Sequence, residues 1–344
     1  LLNILLIGAA LLGTGPIQTS QFAAVAVTLA GLLQVILLWW GVTRQKVSLS
    51  LGWPKMTPSV RKVIALAIPG TIAASGTQIN ILVSQALASF EEGAKSWLFF
   101  ADRLYQLPLG LVGVAVGVAI LPRLARAARS DDQKAGGQLM DDGIGLAMAL
   151  TVPAAVALII APVFLLNGLY VRGAFTLTDA QQAGLALMHY GWGVPAFVLI
   201  KVLATAYFAR EDTKTPLRFA LITVALNTAL GAGLFFWLKS IGQAGFPGLA
   251  IATSIAAWLN AGLLFFGLRH RGWYAPGKRL VSRLVSVTLA SISMGLALFF
   301  ILTQQARFEA IIPYGKAIET VAFILIGIFI YAIAALLFGA IRLS

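Results

Sequence analysis

Long apolar runs recur along the whole chain, and short segments between them carry most of the charged residues. An α-helix needs about 20 mostly apolar residues to cross the roughly 30 Å hydrocarbon core of a bilayer. These runs do not alternate apolar and polar residues, as the strands of a membrane β-barrel would. The pattern therefore predicts an all-α polytopic membrane protein.

Ten of the runs are candidate transmembrane helices, at 1–14, 20–43, 62–90, 96–122, 140–166, 180–209, 215–238, 244–268, 280–303 and 315–341. The first is short and opens at Leu1 inside an apolar run. It has no initiator Met, no basic n-region and no small-residue cleavage site, so it does not resemble a signal peptide. We expect that a longer N-terminal part is missing.

The composition agrees with a lipid environment. Hydrophobic residues make up 59% of the 344 residues and charged residues 11%, whereas a soluble protein carries roughly 25% charged residues.

The net charge of +13 is distributed unevenly among the loops. Five basic residues lie in one set of alternate loops, namely Lys95, Arg172, Lys239, Arg307 and Lys316. Eighteen lie in the other set or at the chain end, namely Arg44, Lys46, Lys55, Arg61, Lys62, Arg123, Arg126, Arg129, Lys134, Arg210, Lys214, Arg218, Arg269, Arg271, Lys278, Arg279, Arg283 and Arg342. The positive-inside rule places the richer set in the cytoplasm and Glu91 and Glu92 in the periplasm. The basic loops thus indicate topology and contact with membrane lipids rather than binding of nucleic acid.

The sequence offers little for catalysis. The chain has no cysteine, which removes disulfides and thiolate nucleophiles. His189 and His270 fall in separate segments without metal-ligand spacing, and no nucleophile-elbow or phosphate-loop motif occurs. We therefore expect no enzymatic activity, no cofactor and no metal site.

Two adjacent charges interrupt the fourth apolar run, in "SWLFFADRLYQLPLG" at residues 96–110. Asp102 and Arg103 are either an interfacial pair whose side chains reach outward, a buried pair that holds helices together, or groups that face a cavity. Neighbours on a helix differ in direction by about 100°, so the two cannot point the same way. An arginine facing a cavity suits a phosphate or diphosphate, since its guanidinium forks onto paired oxygens.

Lys201 is the other basic residue within an apolar run. Its four methylenes could let it reach an interface, it could pair with a carboxylate such as Asp102, or it could contact a substrate. The sequence leaves these three alternatives open.

Prolines interrupt several of the runs: Pro69, Pro108, Pro153, Pro162 and Pro195. Bent or broken helices are common where a transporter builds its central site. The alternative is ordinary membrane-helix proline, which is frequent.

The segment "ADRLYQLPLGLVGVAVGVAILPRL" (101–124) closely resembles the signature of the MurJ/MviN family, the lipid II flippases of the multidrug/oligosaccharidyl-lipid/polysaccharide exporter superfamily. "LIKVLATAYFAREDTKTPLR" (199–218) and "GLRHRGWYAP" (267–276) are similar to later segments of that family. Family members have fourteen helices in two lobes, so the ten here would resemble the fifth to the fourteenth. The resemblance thus divides the chain into the last two helices of the N-terminal lobe (1–43), a cytoplasmic linker (44–61), core helices of the C-terminal lobe (62–268) and a C-terminal pair (269–344) that could hold a lipid tail.

The resemblance implies transport of lipid II, an undecaprenyl-diphosphate-linked disaccharide-pentapeptide, from the inner to the outer leaflet of the bacterial cytoplasmic membrane by alternating access. Arg103 matches the cavity arginine of the C-terminal lobe, the expected partner of the diphosphate. Ser96 matches a small polar position on the same helix. Asp102 matches the acidic neighbour of the cavity arginine, which is expected to orient side chains or to pair helices. Lys201 is a further candidate contact. The missing N-terminal helices would supply the other cavity arginines.

Gln106 departs from the family pattern, because some relatives carry Glu there, and this argues against a proton-linked role at that position. Two rival functions remain. One is export of drugs or polysaccharides by a member of the same superfamily, which would not share the 101–124 motif. The other is a non-transporting membrane scaffold, for which Arg103 should tolerate replacement.

Overall fold

A computed structural model describes residues 1–44, 56–58, 60, 61, 64, 78, 81–129, 133–304 and 315–340. This part of the chain contains helices, turns and irregular segments but no strand, so the all-α prediction is confirmed. It divides into two compact units, Leu1–Ile64 and Ala65–Ser344.

The first unit contains α1 (Leu2–Leu12) and α2 (Pro16–Arg44). Pro16 opens α2, where the missing amide hydrogen costs nothing because the first turn has no acceptor for it. The two helices pack against each other, and the buried residues of this unit are small ones, Ala9, Ala26 and Ala30. Small side chains allow close helix approach in a membrane, where burial from water does not drive association.

Nine helices of the second unit can be assigned bounds within its described residues. They are α3 (Ala94–Arg129), α4 (Gln133–Ile160), α5 (Pro162–Tyr170), α6 (Leu177–Gly191), α7 (Val194–Phe208), α8 (Lys214–Ser240), α9 (Phe246–His270), α10 (Lys278–Thr303) and α11 (Lys316–Leu337). Residues 81–88 are also helical, while most of the predicted helix 62–90 lies outside the described residues.

Seven segments of the described chain are long and apolar enough to cross a membrane. They are Ile17–Arg44, Lys134–Ile160, Leu177–Phe208, Lys214–Ser240, Phe246–His270, Lys278–Thr303 and Lys316–Leu337. α1, with 11 residues, is shorter than a span, whereas α3, with 36, is longer than one. The polytopic membrane fold is thus confirmed, while the count of ten and its family numbering stay a prediction.

The predicted helices 140–166 and 180–209 are each divided in two, next to prolines that the sequence analysis named as interruptions. The first divides at Ala161, where Pro162 opens α5. The second divides at Gly191–Gly193, where Pro195 lies in the first turn of α7. A proline cannot donate to the carbonyl four residues earlier, and it starts a new helix more easily than it continues an old one.

Side chains of other helices bond carbonyl groups at these irregular positions. Pro153 lies inside α4 and removes the donor for Ala149 O, and the Tyr331 hydroxyl of α11 donates to that oxygen at 2.7 Å. At the end of α6, Ser254 Oγ donates to His189 O at 2.7 Å, and Trp258 Nε1 to Trp192 O at 3.0 Å. Polar backbone at membrane depth is tolerated where protein groups satisfy it.

α3 is central to the second unit. It packs against α4, α6 and α7, while α9 packs against α7 and α8. α10 packs against α4 and against α11, which also contacts α5. Tyr105, Tyr190 and Phe246 belong to one buried cluster, and Tyr207, Leu268 and Tyr274 to a second.

Loops of the second unit gather at two ends. At one end, Asp212 pairs with Arg271, and Asp141 accepts hydrogen bonds from Tyr274 Oη and Gly277 N. At the other end, Glu91 accepts from Gly245 N and Phe246 N at the start of α9. The loops predicted to share the cytoplasmic side near 210 and 271–278 therefore lie at one end, opposite Glu91. The side of the membrane that each end faces stays a prediction.

Candidate functional site

The candidate site begins with the two faces of α3. Ser96, Phe99, Arg103 and Gly110 are exposed and lie on one side of the helix, which we call the outer face. Trp97, Ala101, Leu104 and Tyr105 pack into the core on the opposite side, the inner face. The exposed row follows the three- and four-residue spacing that aligns side chains along a helix.

Arg103 points outward with its guanidinium over the ring of Phe99, at 4.9 Å from the ring centroid. An arginine over an aromatic face gains a modest electrostatic attraction, and the contact restricts its rotamers. Within the described chain Arg103 forms no ion pair and no hydrogen bond. Its donors are therefore available to an anionic ligand.

Asp102 lies at the edge of the inner face and is half-buried. Its carboxylate accepts a hydrogen bond from Gln106 Nε2 and interacts with the Tyr105 hydroxyl. Both partners belong to the same helix, three and four residues further on. The two neighbouring charges therefore point in different directions, as the 100° step predicts.

Tyr105 joins this carboxylate to the helices beside it. Its ring lies 4.8 Å from Tyr190 and 5.5 Å from Phe197, centroid to centroid, and it is 8% exposed. Aromatic pairs at such distances contribute about 0.5–1.5 kcal/mol beyond the area they bury. Asp102 thus belongs to the joint between α3 and the α6–α7 break.

The start of α6 is also tied to α3. Thr176 and Asp179 form a capping box at this helix start, and Trp97 Nε1 donates to Asp179 Oδ1 at 2.8 Å. The Trp97 ring also lies 5.2 Å from that of Phe246, which connects α3 to the start of α9. The polar groups of the inner face therefore serve helix packing.

Lys201 is exposed on α7, one turn after Phe197. Phe197 is level with Tyr105, so Lys201 lies about 9 Å further along the bundle than Arg103, at 1.5 Å per residue. Lys201 forms no ion pair with a described residue, and the alternative that it pairs with Asp102 is not what the structure shows.

The structure thus brings Ser96 and Arg103 onto one face, with Lys201 on the neighbouring helix, and turns Asp102 away from them. The sequence analysis missed Phe99 beside Arg103 and the pairing of Gln106 with Asp102. Each lies four residues from its partner, and that spacing was the signal that could have found them. Among the described residues, no three His, Asp or Glu side chains are grouped closely enough to hold a metal ion.

The chain is similar in sequence to known proteins. Residues 1–315 match the family model described as lipid II flippase MurJ. A probable lipid II flippase MurJ of Rhizobium tropici is 39% identical over 334 residues, which are 96% of this chain and 61% of that relative. The chain therefore spans about three fifths of the relative's length.

Two solved structures have a similar fold. A lipid II flippase MurJ in an inward closed conformation matches with a TM-score of 0.73 at 24% identity, over 98% of this chain and 65% of that one. A MATE P26A mutant matches with a TM-score of 0.50 at 16% identity, over 79% of this chain and 63% of that one. At these identities the two structures support the fold alone. The family match over residues 1–315, together with the close sequence relative, identifies the chain as a member of the lipid II flippase MurJ family.

Proposed function

We propose that this chain forms part of a flippase that moves lipid II from the inner to the outer leaflet of the bacterial cytoplasmic membrane by alternating access. Family membership supports the reaction, and the helices long enough to cross a membrane support its location. Export of drugs or polysaccharides is not favoured, because residues 1–315 match the lipid II flippase MurJ family model.

The observation that carries the proposal is Arg103. Its side chain is exposed on the outer face of α3 and forms no ion pair and no hydrogen bond with a described residue. Charged groups inside membrane segments are costly unless a partner, a cavity or a ligand compensates them. A diphosphate offers paired anionic oxygens that match the guanidinium fork.

The other residues have different roles in this proposal. Phe99 restricts the Arg103 guanidinium, and Ser96 offers a hydroxyl about 10 Å away along the same face. Lys201 adds a second exposed cation for the long diphosphate-sugar head group. Asp102 does not contact substrate but maintains the joint between α3 and α6–α7.

The polyprenyl tail of the substrate needs an apolar surface. α10 and α11 pack closely where Gly327 meets Leu298, and they expose large apolar side chains such as Phe299, Phe300 and Phe329. We propose the groove between these two helices as the tail site. The domain boundaries at 44, 62 and 269 belong to the same proposal.

The test is rescue of cells depleted of their own flippase. A chimera would carry this chain in place of the corresponding residues of the Rhizobium tropici relative, with membrane abundance measured for every variant. We expect Arg103→Ala to abolish rescue and Arg103→Lys to keep part of it, because lysine keeps the charge but loses the planar fork.

Lys95→Ala is the matched control, since Lys95 is another exposed cation on α3 and should be replaceable. Full rescue by Arg103→Ala at normal abundance would show that Arg103 does not bind the diphosphate.

A further inference from the structure

Arg283 lies in the second turn of α10, on a different helix from Ser96, Arg103 and Lys201, which are proposed to contact the lipid II head group. It is only partly exposed, and its Nε is buried without a hydrogen-bond partner among the described residues. It forms no ion pair with them either. A guanidinium that is partly removed from water and lacks a counter-charge is unfavourable.

A glycine of α4 leaves room for the Arg283 side chain in this position. A Cβ at Gly145 would lie 2.8 Å from Arg283 Nη1 and 3.3 Å from Cζ. Only the absence of a side chain at Gly145 therefore lets the guanidinium lie against the helix. α11 is the third helix here, since Tyr331 bonds Ala149 O one turn beyond Gly145.

The acid that could have neutralised Arg283 is engaged elsewhere. Asp141 precedes Gly145 by about one turn on α4, and its two oxygens accept from Tyr274 Oη at 2.6 Å and Gly277 N at 3.1 Å. Arg279 lies one turn before Arg283 on the same face of α10 and is exposed. Like charges at this spacing repel each other unless an anion lies between them.

We propose that Arg283 and Arg279 bind the phosphodiester of an anionic membrane phospholipid at the junction of α4, α10 and α11. The depth suits a head group, because Arg283 is about 8 Å into a helix that begins at Lys278. Basic pockets between helices near the cytoplasmic surface bind anionic lipids in this way. The site does not include the residues proposed to contact the lipid II head group, and a bound phospholipid would stabilise the junction of α4, α10 and α11 beside the proposed tail groove.

The test measures retention of phosphatidylglycerol by the purified 344-residue chain in detergent, using native mass spectrometry across a lipid titration. We expect Arg283→Gln to weaken phosphatidylglycerol binding about tenfold, because the variant loses a charge-assisted hydrogen bond to the lipid. Arg269→Gln, which removes an exposed arginine at the end of α9, should leave it unchanged. Equal weakening by both variants would show that only overall charge attracts the lipid and would overturn the site.

A second pair of variants keeps the charge constant. Gly145→Ala should displace the guanidinium and weaken phosphatidylglycerol binding, whereas Gly137→Ala on the same helix has open space around it and should not. Thermal unfolding of both variants checks that they are folded. Unchanged binding by a folded Gly145→Ala variant would contradict the proposal. Displacement of phosphatidylglycerol by millimolar inorganic phosphate would assign the site to free phosphate instead of lipid.

Discussion

The two faces of α3 use polar residues in opposite ways. On the inner side Trp97 bonds Asp179, and Asp102 at its edge bonds Gln106. On the outer face Ser96 and Arg103 have no hydrogen bond to a described residue. Satisfied polar groups stabilise helix packing, whereas unsatisfied ones on the same helix are available to a ligand.

The largest expected effect comes from overfilling the inner face. Ala101 is 0% exposed, so Ala101→Leu inserts a side chain into a filled core and should lower the free energy of unfolding by about 1–3 kcal/mol. Titration with a denaturing detergent would measure this change in the free energy of unfolding. Gly110→Ala, on the outer face with open space around it, should be neutral or stabilising by up to about 1 kcal/mol. Similar losses for both would erase the distinction between the faces.

Trp97→Phe removes one hydrogen bond from the inner face and keeps an aromatic ring against Phe246. Because the bond reaches a carboxylate, its loss should cost about 1.5 kcal/mol in the same unfolding assay. Trp237→Phe is the control, since Trp237 is 57% exposed and its indole N–H forms no hydrogen bond with a described residue. A loss no greater than in this control would mean that the Trp97 bond does not hold α6 to α3.

A smaller effect is expected from the Asp212–Arg271 pair in the loops. Burial raises the pKa of Asp212, but hydrogen bonds from Thr215 and Arg271 outweigh it, and the folded-state pKa is lowered. The pair therefore stabilises the fold above the unfolded pKa of about 3.9, and this contribution is lost as the pH falls through the lower folded value. We expect less than about 1 kcal/mol, because Arg271 is 36% exposed.

Comparing Asp212→Asn with the unaltered chain between pH 3 and pH 6 would measure that contribution. The difference between their unfolding free energies should shrink as the pH falls. A difference that stays constant, or grows toward low pH, would contradict the lowered pKa.

The smallest stability effect is expected for Lys201→Met. Lys201 is exposed and forms no ion pair with a described residue, so its replacement should change the free energy of unfolding by no more than about 0.5 kcal/mol. Reduced membrane abundance of this variant, with rescue per folded molecule unchanged, would restore the structural role that the sequence left open.

The apolar runs sufficed to predict the membrane fold and most helix positions, because span length is a local property of the sequence. Pro162 and Pro195 marked the breaks after Ile160 and Gly191 as bent or broken positions, but the apolar runs continue through them and did not show that the helices end there. The groups that satisfy the second break, Ser254 and Trp258, are more than 60 residues away in sequence. Such contacts depend on tertiary packing.

In the candidate site, too, the sequence predicted local geometry but not contacts between helices. The divergence of Asp102 and Arg103 followed from helix geometry alone. The choice among three roles for Lys201 required knowing which carboxylates of the neighbouring helices lie within reach, and periodicity carries no such information. The assignment of Arg103 to a diphosphate came from the family resemblance, and the structure adds that its donors have no protein partner in the described chain.

The most direct test compares the two neighbouring charges in one experiment, measuring lipid II affinity and unfolding free energy of the purified chimera. We predict that Arg103→Gln weakens lipid II binding at least about tenfold and changes stability by less than about 0.5 kcal/mol. Asp102→Asn should do the reverse, with affinity maintained and stability reduced by about 1 kcal/mol. Unchanged affinity in Arg103→Gln, or an equal loss of affinity in a stable Asp102→Asn variant, would contradict the division between a binding face and a packing face.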